Sequence, residues 1–244
     1  LNFFHSQKFG QFDLVAGGYM FADESYRKGE NEQRLRLNAN TRYRFKNIEG
    51  LSAGANFNHM QTDGTLFFLW KNDTTGAFLP ATNTLSDYTT YRTTIDPFVT
   101  YVNNHGGSHK IRTRWFNTTN ENNTSQNSTA DVYYGEYQYQ QHFKNNLTLT
   151  GGLVEQATKV RSELYGDHNG NQLGVYVQGD YKWKRLTLSA GGRAEQYRID
   201  GKSDSWQPVF RGGLNVHALK ETYVRASVGQ GYRYPSIAEK FVLT

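Results

Sequence analysis

A catalytic or metal site would draw on histidine, hydroxyl and carboxylate side chains brought close together, and here these residues are scattered. Two of the seven histidines, His105 and His109, stand at i and i+4. Such a pair shares one face of a helix and can then hold a metal. These two fall in or beside a tight turn, with no helical pattern around them and no third ligand nearby in sequence. The chain has no Cys, which removes disulfides, thiol catalysis and zinc ribbons together. A hydrolase would need Ser, His and Asp, or paired carboxylates, converging on one point. His217 near Asn215 and His142 beside Gln141 are what the sequence offers toward that. The expectation is no catalytic residue, no metal and no cofactor.

Two other groups have the chemistry to bind. Arg34, Arg36, Arg42 and Arg44 recur at even positions of one segment. Side chains two apart share a face of a strand, so these four would present a cationic wall able to attract an anionic ligand. The stretch Leu66-Phe67-Phe68-Leu69-Trp70 lies in a long polar loop and is too apolar for an idle surface. Phe67, Phe68 and Trp70 are therefore candidates for a surface lid, a partner contact or a ligand rim. The alternative is that they mark the place where a strand leaves a membrane, with aromatics at the interface.

The elements that must position these groups are strands. Arg34 to Phe45 alternates cleanly, with Leu35, Leu37, Ala39, Thr41, Tyr43 and Phe45 on one face and Arg34, Arg36, Asn38, Asn40, Arg42 and Arg44 on the other. At about twelve residues it exceeds the usual strand of five or six and suits a tilted membrane crossing of about 9–11 residues with an extension into water. Similar runs are Phe12–Tyr26, Leu51–Gln61, Ile95–Val102, Ile111–Thr118, Asp131–Phe143, Leu147–Thr158, Leu173–Trp183, Leu186–Ile199 and Phe210–Ala218. With a first fragment and a last strand they make about twelve, antiparallel by their short connections.

The connections come in two kinds. Tight turns fall at Lys8–Gln11, Lys46–Gly50, Asn103–Ser108, Lys144–Asn146, Lys184-Arg185 and Lys220-Glu221. The others are longer and polar: Asp23–Gln33, Leu66–Asp87, Thr119–Thr129, Arg161–Asn171 and Asp200–Ser205. Short turns on one side and long loops on the other is the pattern of an outer-membrane barrel. A propeller would need four short strands in each repeat of about 40–50 residues, and each repeat here holds two long ones.

Composition agrees with a barrel. Mean hydropathy is -0.75, yet the chain carries 17 Tyr and 15 Phe. In a barrel only alternate residues face lipid and the lumen is polar, so the average reads hydrophilic while aromatics gather at the two interfaces. No apolar run reaches the roughly 18 residues of a membrane helix. The net charge of +5 invites a nucleic-acid reading, but the basic residues are spread along the chain rather than gathered in a patch, so no nucleic-acid partner is expected.

The stretch Thr222–Val242 starts as an alternating strand and then runs into Gly229-Gln230-Gly231-Tyr232-Arg233-Tyr234-Pro235-Ser236-Ile237-Ala238-Glu239-Lys240-Phe241. It resembles the barrel signature of TonB-dependent outer-membrane receptors, carried by Gly231, Tyr232, Arg233, Pro235, Ser236 and Glu239, in which such a strand climbs to the cell surface. Gln172–Trp183 and Leu186–Arg193 resemble two further barrel strands of that family, and Phe12–Gly18 is similar to an early one.

The resemblance implies an all-β, antiparallel transmembrane barrel of about 22 strands, of which residues 1–244 would form part as a single domain. It also implies a plug domain filling the barrel, absent from this chain, through which the TonB complex would act. The expected partners are outer-membrane lipid, TonB and a surface lipoprotein. The expected place is the outer membrane, with the long loops extracellular. The expected function is active import of a scarce, large ligand: siderophore, cobalamin, glycan or peptide. Lumen arginines would then pair with plug carboxylates as readily as with ligand. A passive porin-like channel of about twelve strands and a barrel-borne hydrolase are the alternatives. The chain begins inside a strand and ends just after the signature, so further strands are expected after Thr244 and a plug before Leu1.

Overall fold

The computed structural model describes residues 1–242. The strands are β1 (Asn2–Phe9), β2 (Phe12–Asp23), β3 (Asn31–Arg44), β4 (Leu51–Leu66), β5 (Ser86–Val102), β6 (Gly107–Asn122), β7 (Ser128–His142), β8 (Leu147–Ser162), β9 (His168–Trp183), β10 (Leu186–Ile199), β11 (Lys202–Ser203), β12 (Gln207–Leu219) and β13 (Thr222–Gly229). A single short helix, α1 (Ile237–Phe241), follows. The strands form one sheet in sequence order, with the two-residue β11 attached only to β10. Every pairing is antiparallel.

The register carries one alternation across the whole sheet. Leu37 pairs with Gly18 and His59, Ala39 with Ala16 and Phe57, and Phe57 in turn with Ile95. The row continues through Ile95–Trp115–Tyr133–Ala157. Directly paired residues share a face, so the apolar set of each strand joins that of its neighbours. The opposite face carries Arg34, Arg36, Asn38, Asn40, Asn56 and Asn58, which line a common groove, and this polar face is the concave one.

On the convex face the apolar run stops before the strand does. In β9 it extends from Trp183 to Leu173, and Asn171 follows; in β7 it ends at Tyr133 before Asp131; in β8 at Leu153 before Glu155. Eleven residues span about 33 Å along a strand, or about 25 Å at the usual barrel tilt, the height of a lipid-facing band. The strands therefore run on past that band toward the longer loops. This corrects the sequence-based boundaries: the loops are 123–127 rather than Thr119–Thr129, and 163–167 rather than Arg161–Asn171. Polar outward residues above the band read as loop, but the backbone ladder continues through them.

Gly152 shows why glycine interrupts the strands. Its direct partner is Tyr176, and a Cβ at Gly152 would meet the Tyr176 ring at 2.5 Å. The ring lies over the bare backbone and so turns its hydroxyl toward Glu136. With water or lipid on both faces of a sheet, an interior core is small. The buried apolar residues among those described include Phe67, Val154, Val160, Ile199, Tyr234 and Ile237.

Candidate functional site

The concave wall of β2–β7 is the first candidate. All four arginines picked out in the sequence stand on it. Arg34 is ion-paired to Glu32 and lies 5.9 Å over the Phe21 ring. Arg36 donates from Nε to Asn58 Oδ1 at 2.6 Å. Arg42 lies 5.6 Å over Phe98. Arg44, at the tight-turn end, pairs with Asp13 at 2.5 Å. Arg42 shares a second groove with Lys110, Arg112 and Arg114. Arg114 grips Asp96 through two hydrogen bonds, at 2.7 and 2.8 Å. Glu136 accepts from Tyr134 at 3.0 Å and Tyr176 at 2.7 Å, with Arg112 at 3.6 Å. Among the described residues no carboxylate forms an ion pair with Arg36, Arg42 or Lys110. The wall thus offers aligned cationic donors that internal pairs do not consume.

The loop aromatics part company. Phe67 is 1% exposed. The Arg27 guanidinium lies 4.8 Å over its ring and donates to its carbonyl at 3.2 Å, while Glu30 accepts its N–H at 3.2 Å. Phe67 therefore holds the loops 24–30 and 67–85 together, and its burial takes it out of the lid, contact or rim role for which the sequence made it a candidate. An aromatic in a polar loop signals a small local core as readily as a contact surface. Phe68 and Trp70 do face solvent, Trp70 from a bridge to Pro80.

The signature segment does not continue as a strand to the loop end. β13 stops at Gly229 opposite Arg211, four residues short of the start of β12. The chain then crosses the concave face of β8–β10. Tyr234 donates to the carbonyls of Glu195 and Ser205, at 2.9 and 3.3 Å, and Ile237 packs with Val160 and Ile199. Ser236 caps α1: its hydroxyl accepts from the Glu239 N–H, and Glu239 accepts from the Ser236 N–H at 2.7 Å. Arg233 clasps the same carboxylate at 2.7 and 2.8 Å. The Arg233 guanidinium first, and the Ser236 donors after it, hold Glu239 at about 2. Pro235 precedes the cap, where its missing N–H costs nothing. Gly231 and Tyr232 lie exposed on the path in between. Tyr234, His168 and Asp200 escaped sequence reasoning. Tyr234 sits within the signature, but nothing local in the chain says that its partners come from β10 and the stretch before β12.

No group of three His, Cys, Asp or Glu among the described residues could hold a metal, and no helix among them is long and apolar enough to cross a membrane. The sequence matches the family described as "TonB dependent receptor-like, beta-barrel" over residues 2–243. The chain belongs to this family. As a TonB-dependent receptor barrel it is an outer-membrane protein, of a family of receptors and not of enzymes. No curated protein matches it.

Solved structures share the barrel fold at low identity. The apoprotein form of the FrpB iron transporter from Neisseria meningitidis (F5-1 variant) superposes with a TM-score of 0.78 at 10% identity, covering 94% of this chain and 43% of that one. The siderophore receptor PirA from Pseudomonas aeruginosa gives 0.73 at 12%, covering 96% and 39%. The ferric-catecholate import receptor Fiu from E. coli K12, in its open form, gives 0.69 at 10%, covering 93% and 51%. The receptor barrel described here thus spans about half or less of the length of these structures.

Proposed function

We propose that this chain is the wall of an importer that takes an anionic ligand of the ferric-chelate class across the outer membrane, driven through TonB. The observation that carries the reading is the pairing of a lipid-compatible convex face with a concave face bearing unneutralised Arg36, Arg42 and Lys110. Cations gathered on one concave wall concentrate anions there. The structural neighbours FrpB, an iron transporter, PirA, a siderophore receptor, and Fiu, a ferric-catecholate import receptor, support that ligand class. Cobalamin, glycans and peptides are less well served by so basic a wall.

A barrel as wide as about 22 strands needs a plug, and moving the plug needs energy. No nucleotide is available at the outer membrane, so the work must be delivered across the periplasm. The same cations would contact plug carboxylates when the ligand is absent. The long loops face the cell exterior in this reading, with Phe68 and Trp70 on that side.

The test is accumulation of radiolabelled ferric chelate in cells that depend on this receptor, with and without TonB. Uptake should vanish without TonB. Uptake at the normal rate without TonB would replace the importer by the passive channel.

A further inference from the structure

We propose that His168 is a proton-controlled latch that holds α1 against the concave face of β8–β10. His168 opens β9 and sets each ring nitrogen against an acceptor. Nδ1 is 2.7 Å from Asp200 Oδ2, and Nε2 is 2.8 Å from the Tyr165 carbonyl oxygen. A carbonyl and an ionised carboxylate only accept, and a neutral imidazole carries a single N–H. Both hydrogen bonds form only when the ring is an imidazolium. Phe241, the last residue of α1, stacks on that ring with centroids 3.6 Å apart and planes 10° apart. A cation over an aromatic face is attracted by it. Loss of the proton removes one hydrogen bond, turns a lone pair toward an oxygen and discharges the stack.

The surroundings favour the charged form. Asp200 takes the Asn169 N–H on its other oxygen at 2.8 Å, and that bond, with His168 after it, holds its carboxyl below the usual range. Asp167 faces His168 from the preceding loop, and Lys240 of α1 lies toward Asp200. His168 stands beyond the apolar band, which ends at Leu173 on its own strand, so water and protons reach it. Its hydrogen bond to Asp200, above all, raises the imidazole above its ordinary value of 6.5. Asp200, Tyr165 and Asp167 stay beside His168 whether or not α1 is docked; docking adds the Phe241 stack, which favours the imidazolium further. The docked state therefore gains most below the undocked value of His168 and loses that gain as pH rises through the docked one. Release would loosen the Phe241 end of α1 at the loop end of the concave wall, with Tyr234 still tied to the carbonyls of Glu195 and Ser205.

The experiment is hydrogen exchange of the α1 amides in the full-length receptor in outer-membrane vesicles, between about pH 5.5 and 9, corrected for intrinsic rates. Protection should fall on the alkaline side by up to about tenfold per pH unit, and should lose this slope in His168→Gln. Should His168→Gln fail to assemble, Asp200→Asn should carry the slope to lower pH, because it removes the largest cause of the raised imidazole. In Phe241→Leu the His168 titration midpoint, read by NMR of the imidazole, should move down, because coupling is reciprocal. Protection in the native receptor that is flat across the range, an undiminished slope in His168→Gln, a slope that stays at the same pH in Asp200→Asn, or an unmoved midpoint in Phe241→Leu would overturn the latch.

Discussion

Single side chains decide how the ends of the strands are dressed. Phe67 and Phe68 are neighbours of one type, yet one is sealed between Arg27 and Glu30 while the other is open to solvent. Phe67→Ala should therefore speed proteolytic cleavage in both the 24–30 and 67–85 loops, and Phe68→Ala should leave cleavage unchanged, as limited proteolysis of the assembled receptor would read out. Glu239 makes a second case. Its carboxylate is bound by Arg233 and capped by Ser236, and sits near 2 against an ordinary 4.5. A lowered acid stabilises the folded form above its ordinary value and withdraws that support as pH falls toward the folded one. α1 should accordingly hold down to about pH 4.5 and loosen progressively below it. Glu239→Gln should remove the acid-side loss by removing the pairing at every pH, seen as weak, pH-insensitive exchange protection of α1 on that side.

At the scale of the strand, the face assignment carries a sharp contrast between neighbours. Leu37 sits in the apolar row with Ala39 and Phe57, and Asn38 in the polar row with Asn58. Leu37→Arg places a charge against lipid and should cost about 2–4 kcal/mol near the midplane. Asn38→Arg adds a cation to a wall that already carries Arg36 and should be tolerated. Equal loss of heat-modifiable folded barrel on gels for the two variants would refute the assignment, and loss in Asn38→Arg alone would invert it. The strand also explains the glycines. Gly152 leaves room for the Tyr176 ring flat against the sheet, so a larger residue there would push that ring into the concave space and break the Tyr176–Glu136 hydrogen bond.

At the scale of the molecule, orientation follows from connection length. With the tight turns periplasmic, a Cys at Asn123 should react with an impermeant thiol reagent on intact cells, and a Cys at Asn145 should not. Reaction at Asn145 alone would reverse the orientation, and equal reaction at both would contradict a wall that spans the membrane.

All the strands but the two-residue β11, which lies inside the expected loop Asp200–Ser205, were legible in the chain, as were their antiparallel order and two faces, because period-two alternation and turn residues are local properties. Leu35–Leu37–Ala39 against Arg34–Arg36–Asn38 needs no partner to be read. Boundaries were less legible, because a strand that leaves lipid keeps its ladder while its outward residues turn polar, as at Asn171 and Asp131. The destination of the signature segment was not legible at all. Its residues resemble a strand climbing to the surface, and nothing in them announces that Ser236 caps a helix, that Tyr234 reaches the carbonyl of Glu195 or that Phe241 stacks on His168, 73 positions away. Nor could the sequence separate Phe67 from Phe68. Contacts between positions so far apart are fixed by how the sheet curves, and only the folded wall brings them within reach. What the sequence determined alone is the wall and its polarity; what the tertiary structure decided is which side chains remain free on it, since pairing and burial consume some and leave others.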